Sequence, residues 1–207
     1  MSASGGSLEW LRRLLGHPPI TYQDIDDILE GAKPEPTGIL YFPYLSGSGS
    51  SHTDTLARGA FIGLTKDHTR SDLVKAVLEG TAYEAEFIRL AAEKILGTTI
   101  DSITASGGGT HNRHWMQIKA DISGCTIEAP AIHEATLLGA ALVTGIGIGL
   151  FADPQEAIST VQKNPGHSYK PNFSQNKTYK RIYQEGFVPL QAPLRRTSQN
   201  LSRIISQ

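Results

Sequence analysis

Cysteine is nearly absent. Cys125 is the single one in 207 residues, so no disulfide can close within the chain, and a reducing, cytoplasmic setting is expected. It stands in Cys-Thr-Ile-Glu, which reads as a short strand. Nothing adjacent would lower its pKa, so a buried, inert thiol is predicted. Neither sign of charge is in excess: Lys plus Arg is 19, Asp plus Glu is 20 and the formal net charge is -1. That balance argues against nucleic acid or an anionic membrane as main partner. Long hydrophobic runs are missing too. The longest mostly apolar stretch, residues 137–151, is too short and too glycine-rich to span a bilayer. The opening Met-Ser-Ala-Ser-Gly-Gly lacks the basic start and apolar stretch of a signal peptide. A hydrophobic content of 39% is low for a compact domain but far from disordered composition.

Glycine is plentiful, at 21 residues, and not periodic, which predicts tight turns and close backbone approaches. Residues 8–15 read as an amphipathic helix stopped by Gly16 and Pro18-Pro19. Thr21-Tyr-Gln-Asp24 opens a second helix with a capping-box pattern. Residues 38–45 and 58–64 read as strands. Thr69-Arg-Ser-Asp72 caps the longest helix, which Gly97 ends. Leu73, Val77, Thr81, Ala85, Ile88, Ala92 and Ile95 mark its predicted core face, and Asp72, Lys75, Glu79, Glu86, Arg89 and Glu93 the opposite side. Glu84, near the apolar face, needs a partner, and an ion pair is expected. A strand over 100–105, a helix over 112–123 and a strand over 125–129 follow. Glu134 then opens a helix whose small residues Ala135, Gly139, Ala140 and Ala141 predict close packing on a sheet or another helix. Asp153-Pro154 starts one more short helix. This order indicates an α/β sheet with at least one parallel crossover. Residues 1–163 form the expected domain, and 164–207 an extended segment with a helical tail.

Ser106-Gly107-Gly108-Gly109-Thr110-His111-Asn112 joins a strand end to a helix start. A phosphate needs backbone N–H groups aimed at it with no Cβ in the way. Glycines at a helix N-terminus supply the donors and the clearance, and the helix dipole adds partial positive charge. Thr110 and Asn112 add side-chain donors. The spacing is neither Gly-x-Gly-x-x-Gly nor a P-loop, so on its own the run reads equally as a nucleotide site or as a plain tight turn. His111 and His114 lack further ligands in the next turn and read as exposed or capping residues, with no metal site. Asp121 and Asp153 read as a helix-surface carboxylate and an N-cap, and no catalytic residue is assigned.

Four stretches together resemble the C-terminal domain of the FGGY family of carbohydrate kinases. They are Tyr44-Leu-Ser-Gly47; Arg58-Gly-Ala-Phe-Ile-Gly-Leu64 with Asp72-Leu-Val-Lys-Ala-Val-Leu-Glu79 seven residues later; Ser106-Gly-Gly-Gly-Thr-His-Asn-Arg-His-Trp-Met-Gln117 with Ala120-Asp121; and Glu134-Ala-Thr-Leu-Leu-Gly-Ala-Ala141. The resemblance implies an actin-like, ribonuclease H-like ATPase domain, a mixed sheet flanked by helices and lacking its first strands. It also implies ATP with Mg²⁺ as phosphoryl donor to a sugar or polyol hydroxyl. Gly107, Gly108, Gly109, Thr110 and Asn112 would form the nucleotide site, with Gly108 and Asn112 against the nucleotide. The sugar would be bound mainly by a missing N-terminal domain, which would also carry the general base, so the isolated chain should be inactive. A truncated sheet would expose a strand edge and an apolar interface, which predicts a homodimer. The alternative is a non-enzymatic nucleotide-binding or regulatory module of the same fold.

Overall fold

A computed structural model describes residues 4–49, 53–132, 134–161 and 166–205. The chain opens with α1 (Ser4–Leu15) and α2 (Tyr22–Glu30). The Thr21–Asp24 capping box forms as the sequence predicts, with Thr21 N donating to Asp24 Oδ2 at 2.6 Å and Asp24 N to Thr21 Oγ1 at 3.0 Å. β1 (Leu40–Phe42) and β2 (Ala60–Ile62) pair antiparallel, Leu40 opposite Ile62.

The long helix α3 (Arg70–Leu96) is the centre of the fold and packs on α1, α2, β1 and α4. α4 is Arg113–Ser123. Because neighbours surround α3, its middle is buried on every side. Lys75, Glu79 and Glu86, expected on a solvated face, are buried, while Ile95, expected in the core, is 84% exposed. The buried charges are satisfied. Glu79 accepts from the Thr37 hydroxyl at 2.6 Å and the Tyr179 hydroxyl at 2.9 Å, with Lys75 Nζ 3.9 Å away. Burial still pushes the Glu79 carboxyl above its usual range. Glu84 takes the Tyr44 hydroxyl at 3.0 Å instead of the expected ion pair.

β3 (Ser102–Thr104) runs parallel to β4 (Thr126–Ala129), and β5 (His167–Tyr169) adds antiparallel on the far side of β4. The protein is thus α/β, with a mixed three-stranded sheet flanked by helices and β3 at its edge among the described residues. α5 (Ala135–Gly147) and α6 (Pro154–Ser159) pack on each other. The small residues of α5 do not bring it close to a sheet. A Cβ at Gly139 would meet nothing within 4 Å, and Leu137 and Val143 are 66% and 70% exposed.

The boundary expected at 163 lies outside the described residues. Beyond it, α7 (Phe173–Ile182) packs on α4, a π turn covers Tyr183–Phe187, and α8 (Val188–Ile205) ends the described chain. Phe187 stacks on Phe42 with ring centroids 4.6 Å apart, so this segment is part of the core.

Candidate functional site

The glycine corner presents bare backbone. Gly107 has φ 91°, a conformation that L side chains rarely adopt, and a Cβ at Gly107 or Gly108 would meet nothing within 4 Å. Residues Gly108–His111 make one 3-10 turn, and Gly109 lies over Trp115, 3.1 Å from its ring by an added Cβ. The Trp115 indole donates to Thr81 Oγ1 at 3.0 Å, fixing α4 against α3.

The two side chains expected to add donors act differently. The Thr110 hydroxyl donates to the Gly107 carbonyl at 2.8 Å and so closes the turn. Asn112 is the N-cap of α4: its Oδ1 accepts from Trp115 N at 2.7 Å, while its Nδ2 donates to Asp26 Oδ1 at 2.6 Å. Asn112 therefore keeps one amide hydrogen for a ligand.

A cavity of about 950 Å³ opens on the corner and is bordered by Gly108, Gly109, Thr110 and Asn112. Its opposite wall is the start of α1, with Ser4, Gly5, Gly6 and Glu9, and α2 contributes Tyr22 and Asp26. Two helix N-termini, those of α1 and α4, thus border one space, each with a positive dipole end. Sequence reasoning missed the α1 wall. The Ser4-Gly5-Gly6 run before an amphipathic helix was its signal, a second glycine-bearing helix start. Ala82, Ala85, Met116 and Lys119 line the deeper part.

Charge is distributed unevenly around the cavity. Burial raises the Asp26 carboxyl above its usual range, against the pull of His114 and Arg113. Glu30 is held low by its hydrogen bond from Arg113, with which it also ion-pairs. Lys119 stands over the Trp115 ring at 4.9 Å and makes no ion pair among the described residues; burial pushes it down to about 8.

The remaining candidates have structural roles. His114 Nε2 lies 3.6 Å from Glu30, and His111 is exposed. Asp121 is buried, not on the helix surface: its Oδ1 accepts from Gln117 at 2.8 Å and from Asn172 N at 2.7 Å. Asp153 caps α6 through Glu156 N at 2.8 Å. Cys125 is buried with its thiol 2.8 Å from the Ile100 carbonyl, and burial raises its pKa. Among the described residues no group of three or more His, Cys, Asp or Glu is placed to hold a metal ion.

Comparison with known proteins gives a consistent result. The model of the FGGY family of carbohydrate kinases, C-terminal domain, matches residues 1–148. A xylulose kinase of Staphylococcus epidermidis is 30% identical over 181 residues, covering 87% of this chain and 36% of that protein. A glycerol kinase of Gloeobacter violaceus is 35% identical over 156 residues, covering 75% and 31%. The crystal structure of xylulose kinase from Rhodospirillum rubrum superposes with a TM-score of 0.77 at 29% identity, covering 96% of this chain and 40% of that one. The chain spans about a third of the length of the curated relatives it matches.

Proposed function

The chain belongs to the FGGY family of carbohydrate kinases, as a C-terminal domain of the actin-like ATPase fold, and from that premise we propose that it holds ATP for phosphoryl transfer to a sugar or polyol hydroxyl. The observation that carries this reading is the shared cavity. Its walls bring the Gly108 and Gly109 backbone, with Thr110 and Asn112 bracing the corner that Gly107 turns, opposite the glycine-bearing start of α1. Two dipole ends beside a bare glycine backbone suit a polyphosphate. Mg²⁺ would arrive with the nucleotide and would supply positive charge to offset that of the phosphates. The acceptor hydroxyl gives its proton to a base outside this chain, its oxygen bonds to the γ-phosphorus, and the bond from that phosphorus to the bridging β-phosphate oxygen breaks to release ADP.

This chain's part in that step is to bind and orient the donor, which is most of what phosphoryl transfer asks of a protein. Neither Asp121 nor Asp153 is free to act as general base, since the first is held by Gln117 and Asn172 and the second caps α6. The acceptor pocket and the base belong to a sugar-binding domain outside this chain, and the 207 residues alone do not turn over. Residues 1–163 make up the nucleotide-side unit in this reading, and the segment after it supplies β5, α7 and α8 to the same core. A cytoplasmic setting, where ATP is made, fits this reading. So does homodimer formation through the exposed apolar face of α5.

The test is titration of the isotope-labelled chain with Mg·ATP, following backbone amides. Shifts localised to residues 107–112 and 4–6 are expected. Their absence at millimolar nucleotide would sink the assignment. Sugar-dependent ADP release by the isolated chain, assayed with xylulose and glycerol, should be nil, and robust turnover would overturn the division of labour.

A further inference from the structure

Lys119 is the one lysine among the described residues that border the cavity. It follows Asn112, the N-cap of α4, by seven residues, so the two share a face of the helix about 10 Å apart along its axis. Helical side chains lean toward the N-terminus, and Lys119 does so: its Nζ lies 4.9 Å from the ring centroid of Trp115, one turn nearer the corner. Gly109 rests on that same ring. The amine therefore stands below the glycine corner, with an aromatic face in common. Ala82, Ala85, Ile103 and Met116 make the deep wall apolar, and the two charged side chains of α3 there, Glu86 and Arg89, pair with each other. No carboxylate pairs with Lys119 among the described residues, and burial brings it down to about 8. Near pH 7.5 about a quarter of such a lysine is free amine, against about a thousandth of an ordinary one.

We propose that Lys119 is a covalent site for a small aldehyde that carries a phosphate, the phosphate seated at the glycine corner and the carbonyl carbon meeting the amine beside the Trp115 ring. This rests on the corner as a phosphate seat, which the nucleotide reading also uses. The reaction is imine formation. The Nζ lone pair bonds to the carbonyl carbon, and the C=O π pair moves to oxygen. Both amine hydrogens leave with that oxygen as water, and a C=N bond to Nζ remains. No oxidant, metal or further reactant is needed. Desolvation supplies the neutral nucleophile, as it does for lysines in apolar pockets. The bare glycine backbone and the positive end of α4 hold the phosphate, which keeps the carbonyl within reach. An exposed lysine such as Lys66 or Lys94 has neither advantage.

The probe is pyridoxal 5′-phosphate, an aldehyde with one phosphate, added to the 207-residue chain near neutral pH. Cyanoborohydride reduces any imine to a stable secondary amine, and peptide mass mapping reads which lysines carry it. Label at Lys119 should exceed that at Lys66 and Lys94 by about tenfold or more, since the gain in free amine outweighs its lower basicity. Pyridoxal, which lacks the phosphate, should lose most of that preference. Inorganic pyrophosphate should slow labelling at Lys119 and leave Lys66 and Lys94 unchanged. Label no higher at Lys119 than at Lys66 would overturn the inference, and so would equal preference for Lys119 with the two aldehydes. If either result comes with Mg·ATP shifts still localised at residues 107–112, the nucleotide reading stands and this inference alone falls. If those shifts are absent too, the corner seats no phosphate and both fall.

Discussion

Gly80 of α3 lies directly against the backbone of Tyr41 on β1: a Cβ there would overlap the Tyr41 carbonyl oxygen and stand 2.7 Å from Tyr41 Cβ. The contact sets how closely the central helix sits on the β1–β2 ribbon, and its neighbour Glu79 bonds to Thr37 and Tyr179 in the same layer. Tyr41 is 1% exposed and cannot move aside. Gly80→Ala should therefore lower stability by about 2–3 kcal/mol, read as the shift of a urea midpoint. Gly97→Ala is the control. It sits at φ 66° with nothing near its added Cβ, so strain alone should remove about 1 kcal/mol. Equal effects at the two sites would mean that α3 does not pack on β1 this closely.

Lys119 carries a stability penalty near neutral pH. Its folded pKa, about 8, lies below the ordinary 10.5 because burial disfavours the ammonium. Between those values the unfolded chain holds a proton that the folded chain has released, so stability rises with pH across that window. Below about 8 the folded chain must keep the charge, with the Trp115 ring as its one charge-stabilising partner among the described residues. Lys119→Met should raise stability at pH 7 by about 1–2 kcal/mol after loss of the ring contact. That advantage should shrink by pH 10. Urea unfolding of both chains at the two pH values measures the difference, and a constant difference would contradict the assignment to Lys119.

Local chemistry was legible in the sequence, and distant pairing was not. Thr21 with Asp24, Thr69 with Asp72, Asp153 before Pro154 and Gly97 at φ 66° all act within a few residues, and each forms where the residue types require it. The glycine corner was legible for the same reason. Asp26 was not, because its partner Asn112 is 86 residues away and an acidic residue on an amphipathic helix has many uses. The stripe reading of α3 failed because periodicity describes a helix with one wet face. Lys75, Glu79 and Glu86 are buried because β1, α1, α2 and α4 leave the middle of α3 no such face. The α1 start was overlooked because Ser4, Gly5 and Gly6 carry no apolar pattern, though they are helical.

The N-terminus of α3 makes stability acid-sensitive. The Asp72 carboxylate accepts from Thr69 N at 2.7 Å and from the Thr69 hydroxyl at 2.7 Å. The Thr69 backbone bond is the largest of the causes that hold its pKa below the ordinary 3.8. A depressed folded pKa contributes stability that is present above the unfolded value and is lost as pH falls through the folded one. Asp72→Ala should thus lower stability by about 1 kcal/mol at pH 7. As pH falls well below 3.8, through the lowered folded value, the gap between variant and parent should close. Thermal unfolding at the two pH values checks this, and a gap that persists in acid would assign the effect to packing and not to the cap.

The apolar residues of α5 and of the turn that follows it give the last expectation. Leu137, Val143, Ile148 and Leu150 are 66%, 70%, 76% and 66% exposed, and among the described elements α5 packs chiefly on α6. Leaving such a surface in water forgoes about 25 cal/mol per Å², so a second copy of the chain should cover it. Sedimentation velocity should show a concentration-dependent dimer at micromolar protein. Leu137→Glu with Val143→Glu should abolish it without altering the far-ultraviolet circular dichroism, because both side chains are largely exposed. A monomer at every concentration would show that the α5 surface does not drive self-association. A dimer unaffected by the double substitution would move the interface elsewhere, and the unpaired edge of β3, Ser102–Thr104, is then the next surface to alter.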